Sequence, residues 1–471
     1  MGHEGESGHL SPLDAAFLEL EETDESAHMH IGWAMVFEPL PGGGTPDLGT
    51  VRGQIGERLE ALPRFRRRLS SPRVGSLSLP SWVEDPNFDV ANLTRQSRLP
   101  EPGGEADLME WLGDFFSHRL DRSHPLWETT LVDGLEGGRW ALATKAHHCL
   151  VDGISGVSVA TTMLDAEPEP EPEARTLAEL AAAAETGDGG GGDGGGGPLS
   201  GVRRLVGGGL DVAMHPRRTL SLLAQSRAMA ETLVRDELIA APRTSLNGEI
   251  GSSRRFAAID ADLADLKRIK RELGGTVNDV VLAACAGGLK RLFEQRGEAA
   301  EVDRVRAMVP VNVRQASERL ALGNRVSSLF VDLPVAEPDP LLRFRKTAAA
   351  VSDLKQRGAS AGTDAVIDLA GWTPPLVQSV IARVAFTPRL FNITITNVPG
   401  PPATLYALGA PMRRVIPEVP IFSGHAVGVA VVSYDGTVTF GLNADRDTVP
   451  DLGVIRDGIA EALDELGALA G

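Results

Sequence analysis

The chain has 471 residues, which is more than one ordinary hydrophobic core accommodates, so two domains are expected. Its formal net charge of −18 at neutral pH argues against the broad basic surface of a nucleic-acid-binding protein and against general attraction to anionic membranes. A hydrophobic content of 42% with 23% charged residues is typical of a globular protein.

Targeting segments and cysteine content point to a cytoplasmic protein. No uninterrupted apolar stretch reaches the roughly 18–20 residues that span a bilayer. The acidic, polar start MGHEGESGHL does not resemble a signal peptide. Two cysteines, Cys149 and Cys285, are too few for a disulfide framework or a four-cysteine zinc site. We therefore expect a reducing, cytoplasmic location.

The first third of the chain predicts a helix, a buried strand and a hairpin. LSPLDAAFL is typical of a helix start, with proline at the first helical position, and HMHIGWAMVF predicts a strand at residues 28–37. PLWETTLVDG and RWALATKA predict two strands joined by a turn at an Asp-Gly pair. The second strand runs directly into His147 and His148, so both histidines are expected at a strand end, where scaffolds present functional side chains.

The middle of the chain predicts a linker followed by a basic segment. AEPEPEPEARTL and ETGDGGGGDGGGGPLSG offer almost nothing that a core would bury, so disorder is expected around residues 187–197. Residues 202–240 have helical spacing, with arginines among leucines and valines in an otherwise acidic chain. A bridging helix with a solvated basic face and a helix that lies on a membrane surface both fit this pattern.

The last part of the chain predicts a second unit of helices and strands. TVNDVVLAACAGG opens with a capping box, in which Thr276 is the N-cap residue and Asp279 the third helical residue. Four segments predict strands, the last of them with a hairpin turn at Asp435 and Gly436, and an apolar stripe predicts a closing helix. The expected α/β (α+β) protein has an N-terminal domain at residues 1–170, a linker and bridging helix at 171–245, and a C-terminal domain at 246–471.

The segment KAHHCLVDGISG suggests three kinds of chemistry. A metal site is disfavoured, because adjacent residues of an extended chain point to opposite faces and no second ligand cluster lies nearby. A Cys149 nucleophile would need a histidine placed across from it, whereas His148 points away. A histidine with a pKa of about 6.5 suits a general base, with Asp152 fixing the loop through an ion pair. Two ordinary structural histidines are the remaining alternative.

HHCLVDG matches the His-His-x-x-x-Asp-Gly motif of the CoA-dependent acyltransferase superfamily, which includes chloramphenicol acetyltransferases, carnitine acyltransferases and peptide-synthetase condensation domains. LSPLDAAFL, HMHIG, PLW, TVNDVVLAA, VPVNVR, a Gly-Asn pair and TNVPGP flank it in order between Leu10 and Pro401. Together they resemble the bacterial wax ester synthase/diacylglycerol acyltransferase family over nearly the whole chain. The resemblance implies two chloramphenicol acetyltransferase-like domains, with mixed sheets flanked by helices and an active-site tunnel at the domain interface.

The resemblance also implies roles for individual residues. His148 corresponds to the general base and His147 to a supporting residue. Asp152 would face away from the substrate and pair with an arginine of the second domain. Arg314 of VPVNVR is the candidate partner, because arginine forms bidentate pairs with carboxylates. Asn278 could donate a hydrogen bond to the oxyanion, or it could only stabilise the helix end.

Further candidates have weaker support in the sequence. Gly153 and Asp279 are expected to support the site, the first in the loop and the second as the capping partner. His30, Trp127 and Asn397 are candidates for lining the tunnel, although a buried structural role also fits His30 and Trp127.

The expected function is acyl-CoA-dependent O-acylation of diacylglycerol, of a long-chain fatty alcohol, or of both, by direct transfer without an acyl-enzyme. Acyl-CoA is then a substrate, and neither a metal nor a tightly bound cofactor is expected. Lipid acceptors imply peripheral contact with the inner membrane or with lipid inclusions. The alternatives are a condensation-type enzyme that uses carrier-bound thioesters and a non-catalytic lipid-binding protein of the same fold. The PLW and ND markers argue against the first, and the intact His-His-Asp-Gly set argues against the second.

Overall fold

The structure is a computed structural model of the chain, and it describes residues 10, 12–70, 80–151, 159, 162–169, 240–312, 326–356 and 390–471. Three predicted site residues, Asp152, Gly153 and Arg314, lie outside these ranges. Most of the predicted linker lies outside them too, as does the predicted basic helix except for its last residue. The expected domain boundaries therefore stay predictions.

Within the described residues the chain forms eight α-helices and fourteen β-strands. The helices are α1 (Pro12–Thr23), α2 (Leu48–Arg58), α3 (Val90–Leu93), α4 (Glu105–Phe116), α5 (Leu263–Leu273), α6 (Val277–Arg296), α7 (Pro340–Gln356) and α8 (Leu452–Leu469). The strands are β1 (His30–Phe37), β2 (Arg67–Leu69), β3 (Trp82–Glu84), β4 (Thr94–Arg98), β5 (Trp127–Asp133), β6 (Trp140–His147), β7 (Arg254–Asp262), β8 (Val305–Asn312), β9 (Val326–Leu333), β10 (Ile393–Pro399), β11 (Tyr406–Ala407), β12 (Ala410–Glu418), β13 (Val427–Tyr434) and β14 (Thr437–Asp445).

Two mixed six-stranded sheets form the framework of the described part of the chain. The first has the order β11-β12-β1-β6-β5-β4 and is antiparallel except between β4 and β5. The second has the order β7-β14-β13-β10-β8-β9, with β10 parallel to both of its neighbours. Strand β12 comes late in the sequence but pairs with β1 of the first sheet. The two halves of the chain are therefore joined through a shared sheet.

The hairpin that carries the histidines forms from local sequence. Strands β5 and β6 pair antiparallel, and the turn between them begins at Gly134, whose φ of 81° favours glycine. Strand β1 pairs with the other edge of β6, and all eight residues of β1 are buried. Because β6 lies inside the sheet, its end is fixed before the chain turns at His148.

Helix α6 is positioned by close packing and by its cap. A Cβ atom at Gly288 would lie 2.6 Å from the carbonyl oxygen of Ile455 in α8, so glycine allows the two helices to approach. At its start, the predicted capping box is confirmed, because Thr276 and Asp279 each accept a hydrogen bond from the other's backbone N–H. Packing therefore sets the axis of α6, and the capping box sets where it begins.

The predicted mixed sheets flanked by helices are confirmed, and so is the second hairpin, with Asp435 at φ 42° and Gly436 at φ 83°. The sequence pattern does not predict β7 or β12. Strand β12 contains Pro411 and Pro417, which are uncommon inside sheets. Its pairing with β1 depends on residues almost 400 positions away, so no local pattern indicates it.

Candidate active site

The two histidines lie at the end of β6, as the sequence predicts. His147 is the last residue of the strand and is paired with His30 of β1. The backbone N–H of His147 donates to the carbonyl oxygen of Leu126 at 2.9 Å, and that of His148 donates to the carbonyl oxygen of Met29 at 2.8 Å. The side chain of His147 is 1% exposed, whereas that of His148 is half-buried. The more accessible histidine is therefore the second one.

The imidazole of His147 is fixed from two sides. Its Nδ1 atom accepts a hydrogen bond from the backbone N–H of Cys149 at 3.1 Å, so a neutral ring carries its proton on Nε2. That Nε2 atom lies 3.6 Å from Oε2 of Glu21, near the end of α1. Oε2 of Glu21 also accepts a hydrogen bond from Nη2 of Arg122 at 2.8 Å.

The carboxyl group of Glu21 is buried but ionised. Burial alone would raise its pKa, but the nearby His147 ring and the hydrogen bond and charge of Arg122 outweigh burial and lower the pKa to about 2.

The ring of His148 borders an apolar cluster. Its centroid lies 4.2 Å from that of Phe17 in α1, with the planes tilted by 34°. We call the group around Phe17 the Phe17 cluster; it consists of Phe17, Ala27, Met29, Phe391 and Phe422, with Leu20, Met308, Phe330 and Leu390 packed against it. These residues come from both halves of the chain. His148 thus lies against a buried apolar cluster to which both halves of the chain contribute.

Cys149 does not have the environment of a nucleophile. Its side chain is 1% exposed, and burial raises the pKa of the thiol well above its usual range. The reactive thiolate of Cys149 is therefore disfavoured.

A second group of candidate residues lies at the start of α6. Asn278 is half-buried in the first turn, and its Oδ1 atom accepts a hydrogen bond from Nδ2 of Asn397, in β10, at 3.3 Å. Asp279 is buried and is committed to the capping box, where its Oδ2 accepts from the N–H of Thr276 at 2.7 Å. The structure thus brings Asn278 and Asn397 together, two residues that the sequence nominates separately.

The remaining candidates are buried. His30 is 1% exposed, and burial together with the charge of Lys145 holds its pKa well below the usual range, so that the ring is neutral. Trp127 lies in the core of the first sheet, and its indole N–H donates to the carbonyl oxygen of Phe65 at 2.8 Å. For both residues, a role in lining a tunnel stays a prediction.

Comparisons with known proteins identify the family. The family model described as the wax ester synthase/diacylglycerol acyltransferase catalytic domain matches residues 10–281, more than half of the chain. The chain belongs to the wax ester synthase/diacylglycerol acyltransferase (WS/DGAT) family. The model of the WS/DGAT C-terminal domain matches residues 322–467. Both the predicted family and the predicted class of enzyme, an acyltransferase, are confirmed.

Individual members of the family are similar over their whole length. A protein of Mycobacterium tuberculosis named "probable diacyglycerol O-acyltransferase tgs1" is 31% identical over 468 residues, which are 98% of this chain and 96% of that protein. The structure of a wax ester synthase/diacylglycerol acyltransferase from Marinobacter aquaeolei VT8 matches with a TM-score of 0.69 and 28% identity, over 98% of this chain and 100% of that chain.

More distant structures share the fold. The first condensation domain of the calcium-dependent antibiotic synthetase matches with a TM-score of 0.60 at 17% identity, over 98% of this chain and 97% of that chain. At this identity only the fold is comparable. The match supports the predicted two-domain acyltransferase fold of this WS/DGAT family member.

Glu21 lies near the histidines, and no motif in the sequence indicates it. It follows Phe17 by four positions on α1, so both side chains lie on the same face of the helix. Because Phe17 faces the apolar cluster, that spacing is the signal that could have indicated a buried carboxylate at position 21. Its partner Arg122 lies about 100 residues later, and no local pattern connects the two.

A buried ionisable pair, also missed, flanks Gly32 in the first sheet. Lys145 of β6 and Glu418 of β12 are the cross-strand neighbours of Gly32 on its two sides. Nζ of Lys145 donates to the carbonyl oxygens of Phe115 and His118, both at 2.8 Å, and burial lowers the pKa of the amine to about 8. Burial raises the pKa of Glu418 to about 8, against the opposing charge of Arg254. Ionisable groups thus lie close to the histidines, and Lys145 precedes His147 by two positions on β6.

The described residues contain neither a metal-binding cluster nor a membrane-spanning helix. Among them, no group of three or more His, Cys, Asp or Glu side chains is arranged to hold a metal ion. No helix in the same ranges is both long and apolar enough to cross a bilayer.

Proposed function

We propose that this protein transfers a fatty acyl group from acyl-CoA to diacylglycerol, to a long-chain fatty alcohol, or to both, with His148 as the general base. The observation that carries the proposal is the placement of His148, half-buried at the end of a rigid strand and against the Phe17 cluster. The names of the Mycobacterium and Marinobacter relatives support these two acceptor classes.

The proposed reaction is a direct transfer. The imidazole of His148 takes the proton from the acceptor hydroxyl while the oxygen attacks the thioester carbonyl, which forms a tetrahedral oxyanion. The C–S bond then breaks, and the imidazolium returns the proton to the CoA thiolate. The ester and CoA leave, and the enzyme is regenerated without an acyl-enzyme.

Asn278 is the proposed oxyanion donor. Its amide lies in the first turn of α6, where Oδ1 accepts a hydrogen bond from Nδ2 of Asn397 at 3.3 Å. This bond orients the amide without using its Nδ2 group, which is the atom that would donate to the oxyanion. A preorganised donor of this kind typically contributes about 10²–10³ in rate. Asp279 supports this end of the site through the capping box.

The residues beyond Val151 receive their roles from the family motif. Asp152 is proposed to pair with Arg314 and so to hold the loop after the histidines, and Gly153 is proposed to permit the turn. His147 supports His148. The substrates are proposed to meet in a tunnel between residues 1–170 and 246–471, with His30, Trp127 and Asn397 as candidate lining residues.

Lipid acceptors require contact with a lipid surface, so we propose peripheral association with a membrane or with lipid inclusions. The basic stretch at residues 202–227 is the candidate contact, because its arginines would attract anionic headgroups. Sedimentation with anionic liposomes tests this: a variant without residues 202–227 should stay in the supernatant, and unchanged sedimentation would exclude this stretch.

The experiment for the activity is CoA release from palmitoyl-CoA, measured with diacylglycerol, with hexadecanol and without an acceptor. The intact protein should release CoA only with a lipid acceptor, the preferred acceptor names the product, and His148→Ala should lose the activity. Equal activity of both proteins would exclude His148 as the base. If the intact protein is inert with every acceptor, carrier-bound thioesters are the next substrates to test, as the condensation-domain fold suggests, and binding of lipids without turnover would indicate a lipid-binding protein.

A further inference from the structure

Glu21 is a buried carboxylate that lies beside the histidine turn. Its side chain is 5% exposed, and acidic side chains are rarely buried unless they are paired. Oε2 accepts from Nη2 of Arg122 at 2.8 Å and lies 3.6 Å from Nε2 of His147. Oε1 accepts from the backbone N–H of Met29 at 3.3 Å.

Two short paths lead from this carboxylate to the backbone on either side of the His148 side chain. In the first, Met29 donates its N–H to Glu21 and accepts the N–H of His148 on its carbonyl oxygen at 2.8 Å. In the second, the ring of His147 faces Glu21 with Nε2 and accepts the N–H of Cys149 on Nδ1 at 3.1 Å. Glu21 is therefore connected to the peptide group before His148 through Met29, and to the peptide group after it through the His147 ring.

We infer that Glu21 is a positioning residue for catalysis, which acts through the His147 ring to hold His148 in its reactive orientation. The inference rests on the proposed role of His148 as the base. The carboxylate favours the tautomer with the proton on Nε2, which leaves Nδ1 free to accept from Cys149. The 3.6 Å separation is just beyond hydrogen-bond length, and such contacts commonly tighten in the substrate complex.

Two substitutions break the same contact from its two sides. Glu21→Gln keeps the shape and the acceptor for Met29 but removes the charge. Arg122, which is 33% exposed, retains Glu22 and the carbonyl oxygen of Leu18 as partners, so the fold should tolerate the change. His147→Asn keeps an oxygen near the position of Nδ1 for the Cys149 N–H and removes Nε2. Glu22→Gln is the matched control, because Glu22 contacts the same arginine at 2.6 Å and is exposed.

The test measures kcat and KM for palmitoyl-CoA in each variant and in the Glu21→Gln/His147→Asn double variant. In metal sites, loss of a residue that orients a ligating histidine typically costs about 10- to 100-fold. We expect a loss of the same order here, so each single variant should lose about tenfold or more in kcat, with KM within about twofold of the wild type. The double variant should be no slower than the slower single variant, because both changes remove one interaction. Glu22→Gln should match the wild type.

A wild-type kcat in Glu21→Gln, or a change confined to KM, would overturn the inference. So would a loss in the double variant equal to the product of the two single losses, because the two residues would then act independently. If Glu21→Gln does not fold, the kcat of His147→Asn tests the inference instead, because Glu21 and Arg122 stay paired in that variant. If His148→Ala is inactive and Glu21→Gln is fully active, only the inference about Glu21 is contradicted. If His148→Ala is active, the proposed role of His148 as the base is contradicted.

Discussion

The turn after β6 and the start of α6 carry the two groups that the proposed reaction needs, and the chain holds them by different means. At the turn, the backbone N–H groups of His147, His148 and Cys149 all have hydrogen-bond acceptors, and the His147 ring is buried beside Glu21. At α6, helix packing and the capping box fix the backbone, while the amide of Asn278 shares a 3.3 Å hydrogen bond with Asn397. The proposed base is thus held through several backbone hydrogen bonds, whereas the amide of the proposed oxyanion donor is oriented by one long side-chain hydrogen bond.

Among the changes that test this comparison, substitution of Asn278 is expected to have the largest effect on kcat. Asn278→Ala should lower kcat by about 10²–10³ with little change in KM, because the amide would act on the transition state rather than on the bound substrate. Steady-state kinetics with palmitoyl-CoA and the preferred acceptor measure this. A loss below about threefold would leave Asn278 with a role in the helix end only.

A second change displaces α6 without touching the site. In Gly288→Ala the new Cβ would lie 2.6 Å from the carbonyl oxygen of Ile455 and 2.8 Å from Cγ1 of Ile459. Overpacking of this kind typically costs about 1–3 kcal/mol, so the melting temperature should fall. Gly53→Ala in α2 is the control, because its Cβ meets nothing within 4 Å, and it should gain up to about 1 kcal/mol. Equal melting temperatures of the two variants would contradict the close packing of α6.

A third change tests the buried pair next to the histidines. The folded chain holds the proton of Glu418 up to a pH of about 8, whereas the unfolded chain releases it at an ordinary pKa of about 4.3. Stability contributed by this group therefore falls as the pH rises from about 4.3 to 8, by at most about 1.4 kcal/mol per pH unit. Glu418→Gln should flatten the decrease of melting temperature between pH 5 and 8. Parallel curves for the two proteins would show that Glu418 is ionised when buried.

The smallest effect is expected at Asn397. Asn397→Ala removes the 3.3 Å hydrogen bond to Asn278, but the capping box still fixes the start of α6. A neutral hydrogen bond of this kind contributes about 0.5–1.5 kcal/mol, so kcat should fall by no more than about tenfold. A loss as large as that of Asn278→Ala would indicate that Asn397 itself donates to the oxyanion.

The parts that the sequence predicts are those that local interactions determine. The β5–β6 hairpin needs only two neighbouring strands and the turn that begins at Gly134, so the position of the histidines at a strand end is predictable. The capping box of Thr276 and Asp279 spans four residues and is equally local. The family motifs name Asn278 and Asn397, but only the packing of β10 beside α6 brings them into contact.

The parts that the sequence does not predict depend on distant partners. Glu21 looks like a surface residue of an acidic helix until Arg122 and His147 are packed around it. Lys145 and Glu418 are ionisable residues at positions where a buried strand normally has apolar ones. Their burial depends on β12 joining the first sheet. In each case an ionisable group is tolerated inside because a hydrogen-bonding partner from another part of the chain lies beside it.

The base role of His148 is tested most directly by changing the acidity of the acceptor. Palmitoyl transfer to hexadecanol and to hexadecanethiol is measured by mass spectrometry of the product, in the wild type and in His148→Ala. A thiol supplies some thiolate near neutral pH without a base, whereas an alcohol does not. We predict a loss of about 10²–10⁴ for the alcohol in His148→Ala and a far smaller loss for the thiol. Equal losses for both acceptors would contradict the account, because His148 would then not be the group that removes the acceptor proton.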